Sequence, residues 1–339
     1  MSRAARAGAA LAAALGLLSA LPALAAGPSA DLPAEVLKDG VKGPVLPVPS
    51  AAAEDAAKAP AKAPTGSDLA YGAFQRGFYI TAERLAEPLA NLGDPAAQTL
   101  LGEIYSRGLG MPQDLSKAAH WYEAAAASGS AEGQFRYAMM LLDGTAVGQD
   151  VAKARDLMKA AADAGLPLAE YNFAQMLIQA SPASGFEEAR TYFQRAAEAG
   201  VSDAQYAMAQ LFIYGRGGAA DLAKARGWLR AASINGHETA QIEYGIWLIN
   251  GKGGEARPKD GFLFLRRAAE LGNPIAINRI AHLYKDGIGT APDAVAAAKW
   301  AVLAKRVENT DPTLDDFFRG LDPAAQKAAL EAANRFRSS

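Results

Sequence analysis

The stretch from Ala269 to Trp300, AELGNPIAINRIAHLYKDGIGTAPDAVAAAKW, decides the fold, because close variants of it recur along this chain of 339 residues. It contains an opening glycine, Gly272, followed by an amphipathic helical pattern, a glycine-containing turn and an alanine-rich second helix. The opening glycines are spaced 36, 36, 35, 36 and 36 residues apart, at Gly93, Gly129, Gly165, Gly200, Gly236 and Gly272. A repeat of this length predicts a stack of helix pairs, because one pair cannot bury its apolar face alone.

The first helix of each unit is predicted from the spacing of its small and large apolar residues. Small residues stand four and nine residues after the opening glycine, and large apolar residues follow the i, i+4, i+7 stripe of an amphipathic helix. A second glycine predicts the end of that helix, because glycine adopts the left-handed conformation without steric cost. It stands at Gly108, Gly144, Gly215, Gly251 and Gly287. The third unit has Ser181-Pro182 near this point and is one residue shorter, so its turn should differ.

The second helix of each unit combines a small residue with a bulky one three residues later. We expect the bulky residue to fill the space beside the small residues of an adjacent helix. The bulky positions are Trp121, Leu157, Tyr192, Trp228, Phe264 and Trp300. No segment shows the period-two alternation of a β-strand. The predicted fold class is therefore all-α, an α-solenoid of helix-turn-helix repeats with helical caps.

The first 66 residues are predicted to lie outside the repeats. Residues 1–25 combine a positive start, a short apolar core and the cleavage signature Ala23-Leu24-Ala25, which predicts a secretory signal peptide. An uncleaved anchor is the alternative. Residues 26–66 contain seven prolines and no aromatic residue, which predicts an extended and mostly disordered linker. With no cysteine for lipidation, the expected product is a periplasmic protein without an integral membrane segment after signal cleavage.

Helical caps are predicted on both sides of the repeats. Residues 67–93 read as a degenerate N-terminal repeat or cap, and residues 94–307 hold the six repeats. Residues 308–339 read as a C-terminal helical cap, in which Asp322-Pro323 gives an N-cap followed by proline at the first helical position. A partner-binding tail is the alternative for this last segment.

Composition excludes several kinds of function. The formal net charge of −2 gives no basic field for nucleic acid or anionic lipid, and the absence of cysteine excludes thiol chemistry and disulfides. The three histidines lie in different units, without the spacing of a metal site. The glycine-rich turns follow helices, whereas a phosphate-binding loop follows a strand. We therefore predict no catalytic residue, cofactor or metal, and no binding of nucleic acid.

The segment Ala96–Gly129, AAQTLLGEIYSRGLGMPQDLSKAAHWYEAAAASG, resembles the Sel-one-like repeat (SLR), a relative of the tetratricopeptide repeat with a longer unit. Ile275–Gly289 carries the same features, and the resemblance extends over residues 94–307. It implies a right-handed α-solenoid that serves as a scaffold or adaptor for other proteins, and it brings no catalytic residues. Secreted bacterial members often act in envelope signalling or assembly. The departures, in the third unit's turn and the fourth unit's GRGGAADLAKA, affect local loop geometry.

The candidate binding residues are polar positions of the first helices that avoid the apolar stripe. They are Arg136, Asn172, Gln175, Gln210, Glu243 and Arg279. The first helices of a solenoid usually line its concave side, so this row predicts a groove for a protein or peptide partner. Simple solvation of each residue is the alternative interpretation.

The sequence therefore predicts a non-enzymatic periplasmic scaffold in envelope signalling or cell-wall assembly. Two alternatives remain open at this point. One is a cell-wall hydrolase that uses a pair of carboxylates. The other is a stoichiometric inhibitor of a sensor kinase.

Overall fold

The computed structural model describes residues 66–144 and 146–336, and this part of the chain is built from helices without strands. The predicted all-α solenoid fold is confirmed. The predicted signal peptide and nearly all of the predicted linker lie outside the described residues. Gly66, which the sequence assigned to the linker, is the first residue of a helix.

The chain divides into two compact units that meet in sequence between Ala199 and Gly200. The N-terminal unit contains α1 (Gly66–Gln75), α2 (Tyr79–Asn91), α3 (Pro95–Arg107), α4 (Leu115–Ala127), α5 (Ala131–Asp143), α6 (Val151–Asp163), α7 (Pro167–Ala180) and α8 (Gly185–Glu198). The C-terminal unit contains α9 (Ser202–Tyr214), α10 (Leu222–Ile234), α11 (Glu238–Asn250), α12 (Pro258–Glu270), α13 (Pro274–Asp286), α14 (Ala294–Arg306), α15 (Pro312–Gly320) and α16 (Pro323–Arg335). Within each unit, consecutive helices pack against each other, except at the C-terminal end, where α15 and α16 both pack against α14.

Side-chain caps explain where most of these helices begin. An aspartate precedes four second helices and accepts a hydrogen bond of 2.9 Å from the backbone N–H three residues later. These aspartates are Asp114, Asp150, Asp221 and Asp293. Asp94, Ser130 and Asn273 cap first helices in the same way, whereas His237 caps α11 through its ring Nδ1.

The predicted helix-ending glycines have left-handed backbone conformations in all five units that contain them, with φ between 63° and 74°. The third unit differs, as its sequence predicted. Ser181 follows α7 with an extended φ of −141°, and α8 begins only four residues later, at Gly185. A Cβ added to Gly185 would lie 2.4 Å from the carbonyl oxygen of Leu177, so this turn closes directly onto the preceding helix.

The small residues of the first helices allow close packing, as predicted, but the neighbour that closes on them differs from the prediction. A Cβ on Gly102 would lie 2.5 Å from the ring of Tyr122, and one on Gly245 would meet Leu265 at 2.9 Å. The predicted row named Trp121 and Phe264 for these contacts, one residue earlier in each case. The buried row that includes the closing residues is Tyr122, Met158, Phe193, Leu229 and Leu265. Both rows lie within the wide apolar stripe of an amphipathic helix, so periodicity alone does not separate them.

The predicted row of bulky residues, which includes Trp121, Tyr192 and Phe264, makes different contacts. Tyr192 packs edge-on against Phe173 of the first helix, with ring centroids 4.9 Å apart, and Phe264 packs in the same way against Tyr244 at 5.0 Å. Trp121 is only half-buried. The row thus packs against the large residues of the paired first helix, and Phe264 also borders Gly245 as predicted, with its Cβ 3.3 Å from an added Cβ.

The crossing of α11 and α12 gives a direct test of this packing. A Cβ on Gly261 would lie 2.5 Å from the carbonyl oxygen of Gly245 and 2.6 Å from Cγ1 of Ile249. We expect Gly261→Ala to lower the free energy of unfolding by about 2 kcal/mol, because the two helix backbones must separate. Gly227 is a matched control, since it lies inside α10 with no atom within 4 Å of an added Cβ. Gly227→Ala should stabilise the fold by about 0.5 kcal/mol in the same urea titration, and equal effects at both sites would contradict the close crossing.

The C-terminal helices cover the last repeat. Leu314 of α15 is 2 % exposed and Ala333 of α16 is 1 % exposed, and both belong to one core cluster with Trp300 of α14. Phe336 packs edge-on against Trp300 at 5.1 Å, and a guanidinium nitrogen of Arg306 donates to the Ala333 carbonyl at 3.1 Å. The segment after the repeats is therefore packed against the C-terminal unit.

Candidate partner-binding face of the first helices

The six predicted binding residues are divided between the two units. Arg136 lies on α5, and Asn172 and Gln175 lie on α7 of the N-terminal unit. Gln210 lies on α9, Glu243 on α11 and Arg279 on α13 of the C-terminal unit. The structure shows which of these side chains are available to a partner and which are already held within the protein.

Arg136 and Asn172 make contacts along their own helices. The guanidinium of Arg136 donates to Glu132 Oε1 at 2.7 Å, and both side chains remain more than a third exposed. Burial works against the charged form of Arg136, but the neighbouring carboxylates of Glu132 and Glu103 raise its pKa overall. The side-chain amide of Asn172 donates to the Leu168 carbonyl at 2.7 Å. Exposed pairs of this kind contribute little to stability and can be exchanged for a partner.

A polar cluster that the sequence analysis did not predict lies between α3 and α4. The Tyr122 hydroxyl donates to Glu103 Oε2 at 3.1 Å and lies 3.2 Å from Ser106 Oγ. Arg107 donates to the other oxygen of Glu103 at 3.0 Å. Burial raises the pKa of Tyr122, so this residue stays a neutral hydrogen-bond donor. Glu103 is thereby held by residues of its own repeat.

In the C-terminal unit, a donor pair on one first helix holds a carboxylate on the next first helix. The Tyr206 hydroxyl and the Gln210 amide, four residues apart on α9, donate to the two oxygens of Glu243 on α11, each at 3.2 Å. Burial raises the pKa of Glu243, while the bonds from Tyr206 and Gln210 act in the opposite direction. The Tyr206 ring also stacks on His237 with centroids 4.3 Å apart. Two of the predicted binding residues, Gln210 and Glu243, therefore form a bridge between repeats.

The same arrangement recurs two units later. Asn278 and His282 on α13 occupy the positions of Tyr206 and Gln210, shifted by 72 residues. Their side chains reach Asp311 Oδ2, at 3.3 Å for Asn278 Nδ2 and 2.8 Å for His282 Nε2. The other oxygen of Asp311 accepts from the N–H groups of Thr313 and Leu314 and so caps α15. The sequence analysis considered His282 only as a metal ligand, whereas the structure shows that it connects the last repeat to the C-terminal cap.

Between these two bridges the corresponding positions are apolar. Ile242 is buried and Ile246 is half-buried on α11, and neither can donate to a residue of α13. Arg279, which follows on α13, is exposed. Within the described chain, no hydrogen bond or ion pair of Arg279 is found. Arg279 is thus the predicted binding residue whose charge is most accessible to a partner.

Within the described residues, no three histidine, aspartate or glutamate side chains come together as metal ligands would. Glu243 is bonded to a tyrosine and a glutamine rather than to a second carboxylate. Among the described helices, none combines the length and apolarity needed to cross a bilayer.

Asp311 makes a testable contribution to stability. The hydrogen bond from His282, followed by those from Asn278 and the α15 backbone, lowers the pKa of Asp311 from 3.8 to about 2. Because this pKa is lower in the folded chain than in the unfolded one, the stabilisation is complete above about pH 5 and disappears as the pH falls towards 2. Asn retains the cap but loses the charge. We expect Asp311→Asn to lower the free energy of unfolding at pH 6 by about 1 kcal/mol, after allowance for partial exposure.

The difference between Asp311→Asn and the wild type should shrink between pH 5 and pH 2.5 in urea titrations. Asp322 provides the control, because it caps α16 through Ala325 N–H at 2.9 Å without a histidine partner. Asp322→Asn should cause a smaller loss, since the cap bond survives. A pH-independent loss for Asp311→Asn would show that the His282 contact does not contribute.

Comparison with known protein families identifies the repeat. The Sel1 repeat family matches residues 95–130, 131–166, 179–201, 202–237, 239–273 and 274–306, more than half of the chain. The protein belongs to the Sel1 repeat family. The third match covers only the latter part of its unit, where Ser181-Pro182 replaces the usual turn. Sel1 repeats mediate protein–protein interactions, and Sel1 repeat proteins are generally scaffolds rather than enzymes.

Solved structures of Sel1 repeat proteins share this fold. One is a Sel1 repeat protein from Oxalobacter formigenes, 23 % identical, with a TM-score of 0.59 over 70 % of this chain and 96 % of that chain. Another is a protective antigen present in uropathogenic Escherichia coli strains that displays an SLR fold. It is 25 % identical, with a TM-score of 0.51 over 76 % of this chain and 64 % of that chain. The comparison with curated proteins gives no match.

Proposed function

We propose that this Sel1 repeat protein is a non-enzymatic periplasmic scaffold that binds one protein or peptide partner through the first-helix face. The observation that carries the proposal is the exposed guanidinium of Arg279, for which no hydrogen bond or ion pair is found within the described residues. The positions that hold Glu243 in the bridge from α9 are occupied on α11 by the apolar Ile242 and Ile246. An exposed charge that the protein itself does not neutralise is a common basis of specific recognition, because it orients a partner of opposite charge. Envelope signalling or cell-wall assembly is the proposed setting.

Binding residues differ from bridge residues within this proposal. Arg279 in the C-terminal unit is exposed, and Arg136 and Asn172 in the N-terminal unit are half-buried with contacts only along their own helices, so these three are the proposed contacts. Glu243 and Gln210 hold the face in shape, because their polar atoms already bond to each other across repeats. Gln175, half-buried on α7, joins the contact set.

Site-specific photocrosslinking in cells tests this assignment. A photoreactive residue would replace Arg136, Asn172 or Arg279 in turn, while Glu243 stays in place to preserve the bridge. Arg155 on α6 and Ala223 on α10 are matched controls, because both are exposed residues of second helices. We expect one protein to be captured from the first-helix positions and not from the controls. Equal capture at both sets, or none at Arg279, would overturn the face assignment.

The captured partner then permits a quantitative test. Arg279→Glu should weaken binding of the purified partner about tenfold or more, since each 1.4 kcal/mol corresponds to a factor of ten. Arg155→Glu makes the same charge change on a second helix and should leave binding unchanged. A loss of catalytic turnover, rather than of binding, in the Arg279 variant would favour the hydrolase alternative.

The proposed location has its own test. The N-terminal sequence of the protein recovered from the bacterial periplasm should begin at Ala26, directly after Ala23-Leu24-Ala25. Recovery of the intact chain in the cytoplasm alone would contradict the periplasmic proposal and leave the scaffold proposal standing.

A further inference from the structure

The N-terminal helix pair exposes far more apolar surface than the end of a helical stack should. Six of the seventeen large apolar side chains that are exposed in the described part of the chain lie within residues 69–92. They are Leu69, Tyr71, Phe78, Ile80, Leu85 and Leu92. Terminal repeats normally turn a polar face to water. A concentration of this kind indicates a surface that another segment covers.

Three aromatic rings of this pair contact each other in a row, and a fourth, Phe78, precedes the third in sequence. Tyr71 stacks with Phe74 at 6.1 Å, and Phe74 packs edge-on against Tyr79 at 5.6 Å. Phe78 lies beside Tyr79 in sequence and is 58 % exposed, with the Arg76 guanidinium 5.7 Å from its ring. We call Tyr71, Phe74, Phe78 and Tyr79 the aromatic surface. Its rings come from the end of α1 and the start of α2.

The chemistry of the aromatic surface matches a segment just upstream. Residues 44–49 read PVLPVP, which contains the spacing Pro44-x-x-Pro47 and a third proline, Pro49. Proline-rich segments with this spacing bind aromatic-lined grooves, because their extended helix is formed in advance and loses little entropy. We propose that Pro44–Pro49 of the same chain docks on the aromatic surface. The covered surface and the covering segment are then parts of one molecule.

The connecting chain is long enough for this contact. Sixteen residues, 50–65, separate Pro49 from the start of α1. At about 3.1 Å per residue they span up to about 50 Å, whereas α2 with its thirteen residues is about 20 Å long. A tether of this length holds the segment at a millimolar effective concentration, so even a weak contact is populated. Because of this effective concentration, the tethered segment would occupy the aromatic surface in preference to a partner of similar affinity at a lower concentration.

The natural absence of cysteine makes a distance measurement direct. Lys42→Cys, two residues before the segment, and Glu87→Cys on α2 would carry a pair of spin labels for double electron–electron resonance on the full chain. Glu87 is exposed and lies seven residues after Ile80, on the same face of α2. We expect a narrow distance distribution. An undocked tether would give a broad one, with a root-mean-square separation of about 30 Å.

Two variants and one control complete the design. Replacing Pro44, Pro47 and Pro49 together by alanine, or combining Tyr71→Ser with Phe78→Ser, should broaden the distribution. Ile275→Ser removes a similarly exposed apolar side chain, 54 % exposed, from the C-terminal unit and should leave it narrow. Circular dichroism would confirm that each variant folds. A broad distribution in the parent chain, or one unaffected by both variants, would overturn the proposal.

Spin dilution and mixing of singly labelled chains distinguish docking within one chain from docking between two copies. Diluting the doubly labelled chain with unlabelled chain should leave the narrow distribution unchanged. Mixing chains that carry only the Lys42→Cys label with chains that carry only the Glu87→Cys label should give no short distance. A short distance in that mixture, lost on dilution of the doubly labelled sample, would show an exchange between copies and overturn docking within one chain.

Discussion

Leu314→Ala should lower the free energy of unfolding by about 3 kcal/mol, the range expected when a fully buried leucine is truncated. Leu314 is the most deeply buried large residue of α15, at 2 % exposure, and it belongs to the core cluster of Trp300 and Leu303. Its removal leaves a cavity between α15 and the last repeat. Urea denaturation followed by circular dichroism measures the loss.

Leu330 on α16 is the matched control for this prediction. It is the same residue type in the same cap but is 41 % exposed, so Leu330→Ala should change the free energy of unfolding by less than about 1 kcal/mol. Amide hydrogen exchange would show which helices lose stability. The effect should stay local, because each repeat contacts only its neighbours. Protection should fall most in α13 and α14. Similar small effects of both substitutions would mean that α15 does not close the core.

The repeat pattern predicted the helices and their ends well, because the information lies in single residues with local effects. Glycine with a left-handed backbone and aspartate or serine at an N-cap act within a few residues of themselves. The predicted difference at Ser181 is confirmed for the same reason. Such local features can be predicted from the sequence without knowledge of the neighbouring helix.

Contacts between helices were less predictable. Whether Trp121 or Tyr122 closes on Gly102 depends on a rotation of about 100° around the helix, and both residues are large and aromatic. The bridges to Glu243 and Asp311 join residues 33–37 and 29–33 positions apart, so no local pattern signals them. A donor pair at i and i+4, followed by an acid in the next element, is the signal that could have found both bridges.

A second large effect is expected at a substitution inside the repeat itself. The fifth residue after the opening glycine is glutamine in four units, Gln98, Gln134, Gln205 and Gln241, but it is Glu170 in the third and Ile277 in the sixth. The amide of Gln98 donates to the Ala90 carbonyl at 3.0 Å, and that of Gln241 donates to the Ser233 carbonyl at 3.2 Å. Each bond reaches eight residues back and satisfies the end of the preceding helix.

A carboxylate at position 170 cannot make this bond, because it has no hydrogen to donate. The carbonyl eight residues before Glu170 belongs to Ala162, and it accepts from Nη2 of Arg195 at 3.4 Å. The same guanidinium places Nε 2.8 Å from Glu170 Oε1, whose side chain is only 4 % exposed. The residues that correspond to Arg195 in the first, second and fourth units are alanines, Ala124, Ala160 and Ala231, whereas the fifth unit has Arg267 together with its glutamine. Arg195 therefore takes over the task of the glutamine amide and neutralises the acid that replaced it.

Arg195→Ala should lower the free energy of unfolding by about 3 kcal/mol, because it leaves a buried carboxylate without a cation and a carbonyl without a donor. Burial already raises the pKa of Glu170, with Arg195 opposing it. Without Arg195 the pKa should rise further, so the loss should diminish as the pH falls and the carboxyl group becomes protonated. Urea titrations at pH 7 and pH 4.5 measure both effects. Arg155→Ala, at an exposed position of α6, should change stability by less than about 0.5 kcal/mol.

The decisive variant is Glu170→Gln combined with Arg195→Ala, which restores the glutamine and alanine pair of the first, second and fourth units. Its glutamine amide can donate to the Ala162 carbonyl as Gln98 does to Ala90, and no buried charge remains. We expect the double variant to recover to within about 1 kcal/mol of the wild type and to lose the pH dependence of Arg195→Ala. If the double variant stays as unstable as Arg195→Ala, the arginine is needed for its packing over Tyr192, 4.6 Å from the ring, and not for Glu170.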